Sequence, residues 1–263
     1  MAIEYKGGTR ATCVKSDIFS DSLGSSGDGT NNGITLIETL NTGVAIPTSS
    51  GWSADTTDIS TSSSGVAFSF DSSSINETVY YDLQNASVLD GSNLNNSKWT
   101  LRGKLVFTNN TANGTSANAF DVRVALHAST SFSGETPTGD GIWWLWGNRS
   151  SNGIYQYLYS RNGSNSATQT SVTNAGSVGA NTWYFEISRT GDTTVTFKLF
   201  SDSSFSTQSG STVSITGASS DVDDLRYLHV SGFSQTVSGS GNMTGVISEL
   251  KIHDNSTDGD VKL

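Results

Sequence analysis

The chain predicts an all-β protein: an antiparallel jelly-roll β-sandwich carrying an N-terminal arm. Three observations lead there. From Gly51 onward apolar residues recur with a period of two, Asn-Gly, Thr-Gly-Asp and Ser-Gly turn signals separate the alternating runs, and no segment has the spacing of an amphipathic helix. Composition agrees. Charged residues make up 14% of the 263 and proline occurs twice, while Ser, Thr, Asn and Gly fill the polar positions, the balance of a turn-rich β protein.

Residues 1–50 read as an arm. They carry few aromatics, a turn-forming cluster SDSLGSSGDGTNNG (Ser20 to Gly33), one short apolar run ITLIETL, and Pro47. Such a segment is expected to dock on a partner, either other copies of the chain or a particle scaffold; an edge strand folded back on its own domain is the alternative. Residues 51–263 form the sandwich. Its strand faces are marked by Val66-Phe68-Phe70, Trp99-Leu101-Leu105-Phe107, Phe120-Val122-Val124-Leu126, Trp183-Phe185-Ile187, Val195-Phe197-Leu199, Leu225-Tyr227-His229 and Val246-Leu250-Ile252. A domain of this size accommodates about a dozen strands.

The densest functional signal is GIWWLWGNRSSNGIYQYLYSR (Gly141 to Arg161), two alternating runs joined by a Gly/Asn/Ser turn. Successive side chains of a strand point to opposite faces, so Trp144 and Trp146 share one face, and Tyr155, Tyr157 and Tyr159 share one face of the partner strand. One face lines the core. An aromatic row on the other is a surface for stacking against sugar rings, with Gln156, Asn148 and Arg149 to satisfy hydroxyls. The candidate carbohydrate site is therefore Trp144, Trp146, Tyr155, Tyr157, Gln156, Asn148 and Arg149, and Trp144 and Trp146, or else Trp143, compete for the core.

The phrases VYYDLQNASVLDGSNLNNSKWTLRGKLVF (Val79 to Phe107), NTWYFEISRTGDTTVTFKLFSDSSFST (Asn181 to Thr207), DDLRYLHVSG (Asp223 to Gly232) and GVISELKIHD (Gly245 to Asp254) resemble the concanavalin A-like lectin/glucanase superfamily in its laminin G-like branch, over residues 51–255 or so. That resemblance implies two stacked antiparallel sheets, a carbohydrate site on one of them, and calcium at a loop edge in many members. The acidic cluster Asp221, Asp223 and Asp224 is the best candidate for calcium, with Asp140, Asp254, Asp258 and Asp260 weaker, and none has EF-hand spacing.

Catalysis is not expected. Glycanases of the superfamily place carboxylates two and four residues apart on one strand face, and none of the six glutamates here has another carboxylate within four residues. The strand motifs of related alginate lyases, the G-x-S-x-G elbow and the P-loop are absent from the sequence. His127, His229 and His253 sit on separate expected strands, without a close partner along the chain.

A net charge of −10 with scattered basic residues argues against nucleic acid and against anionic membranes. No run approaches a bilayer-spanning length and the first residues lack a signal-peptide core. The single cysteine, Cys13, permits no intrachain disulfide. These features lead to a non-enzymatic lectin-like adhesion or structural module on a virion or cell exterior, with glycans or glycoproteins as partners. The alternative is a purely structural assembly protein, a decoration, fibre or surface-layer component; a glycan-cleaving enzyme of the same fold is a second alternative, disfavoured by the lack of paired carboxylates.

Overall fold

The computed structural model describes residues 44–71, 75–85, 88–89, 94, 98–110, 120–149, 153–163, 168–171, 179–191, 193–216, 222–234 and 242–254. Two antiparallel sheets stack face to face as a jelly-roll sandwich. The larger runs in the order β12 (Gln208–Thr216), β11 (Thr194–Phe200), β10 (Asn181–Thr190), β5 (Lys98–Asn110), β14 (Met243–Asp254), β3 (Gly65–Phe70) and β2 (Ile59–Ser62). The smaller runs β4 (Asn76–Asp82), β13 (Tyr227–Ser234), β6 (Phe120–His127), β7 (Gly141–Arg149), β8 (Gly153–Arg161) and β9 (Thr168–Ser171). Among the described residues no helix is long and apolar enough to cross a membrane.

The expected period-two faces fill the space between the sheets. Val66, Phe68 and Phe70, then Trp99, Leu101, Leu105 and Phe107, then Phe120, Val122, Val124 and Leu126 are all buried, as are Phe185, Ile187, Val195, Phe197 and Leu199. Gly103 continues the inner face of β5, where a Cβ would press into the Phe185 ring and the Leu250 side chain.

Three expectations change. Tyr227 and His229 lie on the outer face of β13, whose inner face is Leu228 and Val230, while Leu225 is buried just before the strand begins. In β14 the inward residues are Met243, Ile247, Leu250 and Ile252, and Val246 points outward. A bulge between Ser248 and Lys251 inserts an extra residue opposite Arg102 and Lys104, and so reverses the parity. Finally, β1 (Val44–Ala45) pairs with Ile252 and Lys251, and Ile46 is buried with its amide on the Leu250 carbonyl at 2.9 Å. Residues 44–47, assigned to the arm by composition, thus belong to the sandwich. They take up the edge of β14 that β3 leaves at Ile247. Residues 1–43 of the arm lie outside the described residues.

Candidate functional site

The β7–β8 hairpin forms as its sequence predicts, with Trp143 opposite Tyr159, Leu145 opposite Tyr157 and Gly147 opposite Tyr155. Its inner face is core. Trp144 and Trp146 are 1% and 0% exposed: Trp144 stacks on Phe197 at 4.8 Å, and Trp146 packs on Phe107 at 5.0 Å. Gln156 is buried on the same side and accepts the Trp144 indole N–H at 3.0 Å. These three residues are therefore corrected from ligand contacts to core: the second sheet already covers the face they occupy. Asn148 and Arg149 stand at the end of β7, opposite Ile154 and Gly153, and their side chains lie outside the described residues.

The tyrosines take the outer face. Tyr155, Tyr157 and Tyr159 are half-buried and form a row with ring centres 5.8 and 5.9 Å apart. The two outer rings have different supports, and Tyr157 stands between them. Tyr155 lies across Gly147, where any Cβ would strike its ring, and its hydroxyl donates to the Asp121 carboxylate on β6. Tyr159 stacks flat on Trp143 at 5.0 Å and 7°. Burial pushes the Tyr159 hydroxyl up to about 12, so it remains a phenol at physiological pH. The Tyr157 hydroxyl has no hydrogen-bond partner among the described residues.

Beside the row, the sheet is covered by its own loop. Residues 128–140, between β6 and β7, fold back as a strap that is closed at its base by the Ala128 amide on the Asp140 carbonyl at 3.0 Å. Phe132 is the plug. It is 1% exposed, edge-on to Trp143 at 5.8 Å and tilted over His229 at 5.1 Å. Trp143, the outward tryptophan, is therefore fully buried as well.

The sheet's donors hold the strap through its carbonyls. Arg123 Nη1 donates to Gly134 at 2.6 Å, Arg161 Nη1 to Thr136 and Pro137 at 2.9 Å each, and His229 Nε2 to Ser129 at 2.9 Å. Asn76 accepts the Gly134 amide at 2.7 Å. Arg123 is buried over the Phe233 ring and paired with Asp121 at 3.4 Å.

His127 and His229, far apart in the chain, meet edge to face at 5.8 Å because β6 and β13 are neighbours. His229 is neutral: Nε2–H donates to the strap while Nδ1 accepts from the Thr78 hydroxyl at 3.2 Å. Burial and the neighbouring His127 push its pKa down to about 3. Burial also lowers His127, whose Nδ1 lies 3.0 Å from both the amide nitrogen and the carbonyl oxygen of Ser129. Sequence spacing held no signal for this pair, which only strand order brings together.

The acidic loop is less assembled. Asp221 lies outside the described residues, Asp223 is half-buried, and Asp224 is exposed with a φ of 54°. Asp140 acts as a structural acceptor, taking the Gly163 amide at 2.6 Å and the Asp223 amide at 3.4 Å. Among the described residues no three His, Cys, Asp or Glu side chains converge to hold a metal ion.

No protein-family model matches the chain, and no curated protein matches it. Solved structures similar to it include an alginate lyase from Klebsiella pneumoniae, at 12% identity over 78% of this chain and 87% of that one, with a TM-score of 0.47. A legume lectin-like domain from Entamoeba histolytica is similar at 11% identity over 83% and 92%, with a TM-score of 0.45. The exoplasmic/lumenal domain of VIP36, in a Ca2+/Man2-bound form, is similar at 9% identity over 79% and 85%, with a TM-score of 0.49.

Proposed function

We propose that the protein is a non-enzymatic, lectin-like module that binds carbohydrate through the tyrosine row on the outer face of the smaller sheet. The carrying observation is the row itself: three half-exposed rings at regular spacing, the outer two held by Asp121 and by Trp143, with the central hydroxyl, on Tyr157, unpartnered among the described residues. A flat ring stacks on the apolar face of a pyranose and its hydroxyl satisfies a sugar hydroxyl, so a pre-positioned row loses little entropy on binding. The non-enzymatic reading is supported by the cover. His127, His229 and Arg123, the groups on this face suited to proton transfer or anion binding, lie beneath the strap.

Display on a virion or cell exterior, docking through the arm, and calcium at the loop of Asp221, Asp223 and Asp224 belong to the same proposal. The test is a glycan array probed with the intact chain, followed by titration of the best ligand. Tyr157→Ala should weaken binding by at least about tenfold with an unchanged melting temperature. Undiminished binding by Tyr157→Ala sinks the row as the site. A chain that binds no glycan but forms multimers by size-exclusion light scattering is a structural assembly protein instead.

A further inference from the structure

The outer face of the larger sheet carries a second built feature. The loop 201–207 between β11 and β12 folds against β10, β5 and β14 and encloses a cleft of about 320 Å³, lined by Arg102, Tyr184, Ser204, Phe205, Glu249 and Lys251 among others. That volume suits a ligand the size of one sugar ring, at the small end of binding pockets.

Backbone strain converges on it. Among the described residues three non-glycine side chains adopt a left-handed backbone, and two of them, Phe205 (φ 56°) and Glu249 (φ 52°), line this cleft. Glu249 sits at the bulge of β14, which turns a carboxylate outward beside Lys104 at 2.9 Å. Strained residues persist where the surroundings hold them, and they cluster at binding sites.

The surroundings do hold them. Asp202 ties the loop by accepting the amides of Ser204 at 3.0 Å, Ser206 at 3.2 Å and Thr207 at 2.5 Å. Phe205 is seated against Phe200 at 5.3 Å and Tyr184 at 5.9 Å, with the Arg102 guanidinium 4.8 Å from its ring centre.

Charge identifies the ligand class. Arg102, Lys104, Lys198 and Lys251 surround the cleft against three carboxylates, Glu186, Glu249 and Asp202, the last engaged by the loop's own amides, in a protein of net charge −10. Glu186 engages Arg102 and Lys198, and Glu249 engages Lys104. Lys251, exposed at the rim, makes no ion pair among the described residues, and Arg102 Nη1 has no partner among them. An unpaired ammonium and a guanidinium edge beside two aromatic walls suit a carboxylate borne on a compact ring.

We infer that this cleft binds a monosaccharide-sized ring carboxylate, such as a uronic acid, with Lys251 and Arg102 Nη1 meeting the carboxylate and Phe205 and Tyr184 flanking the ring. The site is on the opposite side of the sandwich from the tyrosine row and independent of it.

The test is an amide chemical-shift titration of the full chain with glucuronate, glucose and acetate. Glucuronate should give saturable shifts confined to residues near 102–104, 184, 203–205 and 249–253, with a Kd on the order of 1 mM. Glucose should give none, and acetate weaker ones. Lys251→Gln should raise the glucuronate Kd about fivefold, and added salt should raise it too, since the cations are exposed. Tyr157→Ala should leave it unchanged, which separates failure here from failure of the tyrosine row. No saturable shift in the cleft, equal response to glucose, or indifference to both Lys251→Gln and salt overturns the inference.

Discussion

The two outward faces of this sandwich are built on the same pleat and solved differently. On the smaller sheet the outward face carries aromatic rings, two histidines and the Arg123–Asp121 pair, and a thirteen-residue strap covers Trp143, His229 and Arg123, leaving the tyrosine row beside it. On the larger sheet the outward face carries an ionic lattice, Arg102, Glu186 and Lys198 in one network and Lys104 with Glu249 in another, in which Glu186 is buried and the other four side chains are partly solvated. Charges under the strap must be matched because water cannot reach them. The solvated charges of the lattice are screened, and a pair such as Lys104 with Glu249 contributes little. The contrast sets the order of the effects that follow.

The largest is expected under the strap. Asp121→Ala leaves Arg123, 1% exposed, without its carboxylate and takes from Tyr155 its acceptor. An uncompensated buried charge costs about 3–5 kcal/mol, read as a lower urea midpoint. Adding Arg123→Met should recover most of that loss. If Asp121→Ala costs no more than a surface pair, the two faces do not differ as described.

Next comes pH. With its folded pKa at about 3, below the ordinary 6.5, His229 is neutral in the folded protein and takes a proton once unfolded or freed from the strap. Its contribution is complete above pH 6.5 and drains as pH falls toward 3. Between pH 7.5 and 5 one such histidine costs about 2 kcal/mol, and His127, lowered in the same direction, adds to it. Glu186, held below the usual carboxylate range by Arg102 and Lys198 despite its burial, loses its own contribution only at lower pH. Urea midpoints at the two pH values should therefore separate, and His229→Gln should narrow the separation. Hydrogen exchange should place the earliest acid opening in residues 128–140; earlier opening of β5 or β14 would make the strap no weaker than the core.

Legibility followed a similar divide. Regular alternation made the sandwich and most of its inner faces readable, from Val66-Phe68-Phe70 to Val195-Phe197-Leu199, because burial on one face imposes a period of two. Parity failed where geometry breaks the period. The extra residue near Glu249 shifts everything after it, and β13 runs opposite in phase to the reading anchored on Leu225. The hairpin was legible as a hairpin, but not the side on which its tryptophans would fall. Trp144 and Trp146 face the core and Trp143 faces outward, yet all three are buried, since a loop with one phenylalanine covers what the pleat exposes. A covering loop has no periodic signature. Nor does a pair such as His127 and His229, or a cleft assembled from three strands and a distant turn.

The smallest expected effect sharpens the contrast from the open side. Glu249 is a non-glycine residue at φ 52°, and its carboxylate pairs with Lys104 at 2.9 Å, with side-chain exposures of 56% and 26%. Glu249→Ala keeps the strain and removes the pair, so it should cost about 0.2–1 kcal/mol. Glu249→Gly also removes the pair but relaxes a backbone that glycine adopts freely, which returns about 1 kcal/mol and leaves the net change near zero. The difference between the two variants isolates the strain at the bulge. A glycine variant no more stable than the alanine one would mean that the left-handed residue is not strained, and one of the marks that sets the cleft apart from the rest of the open face would be lost.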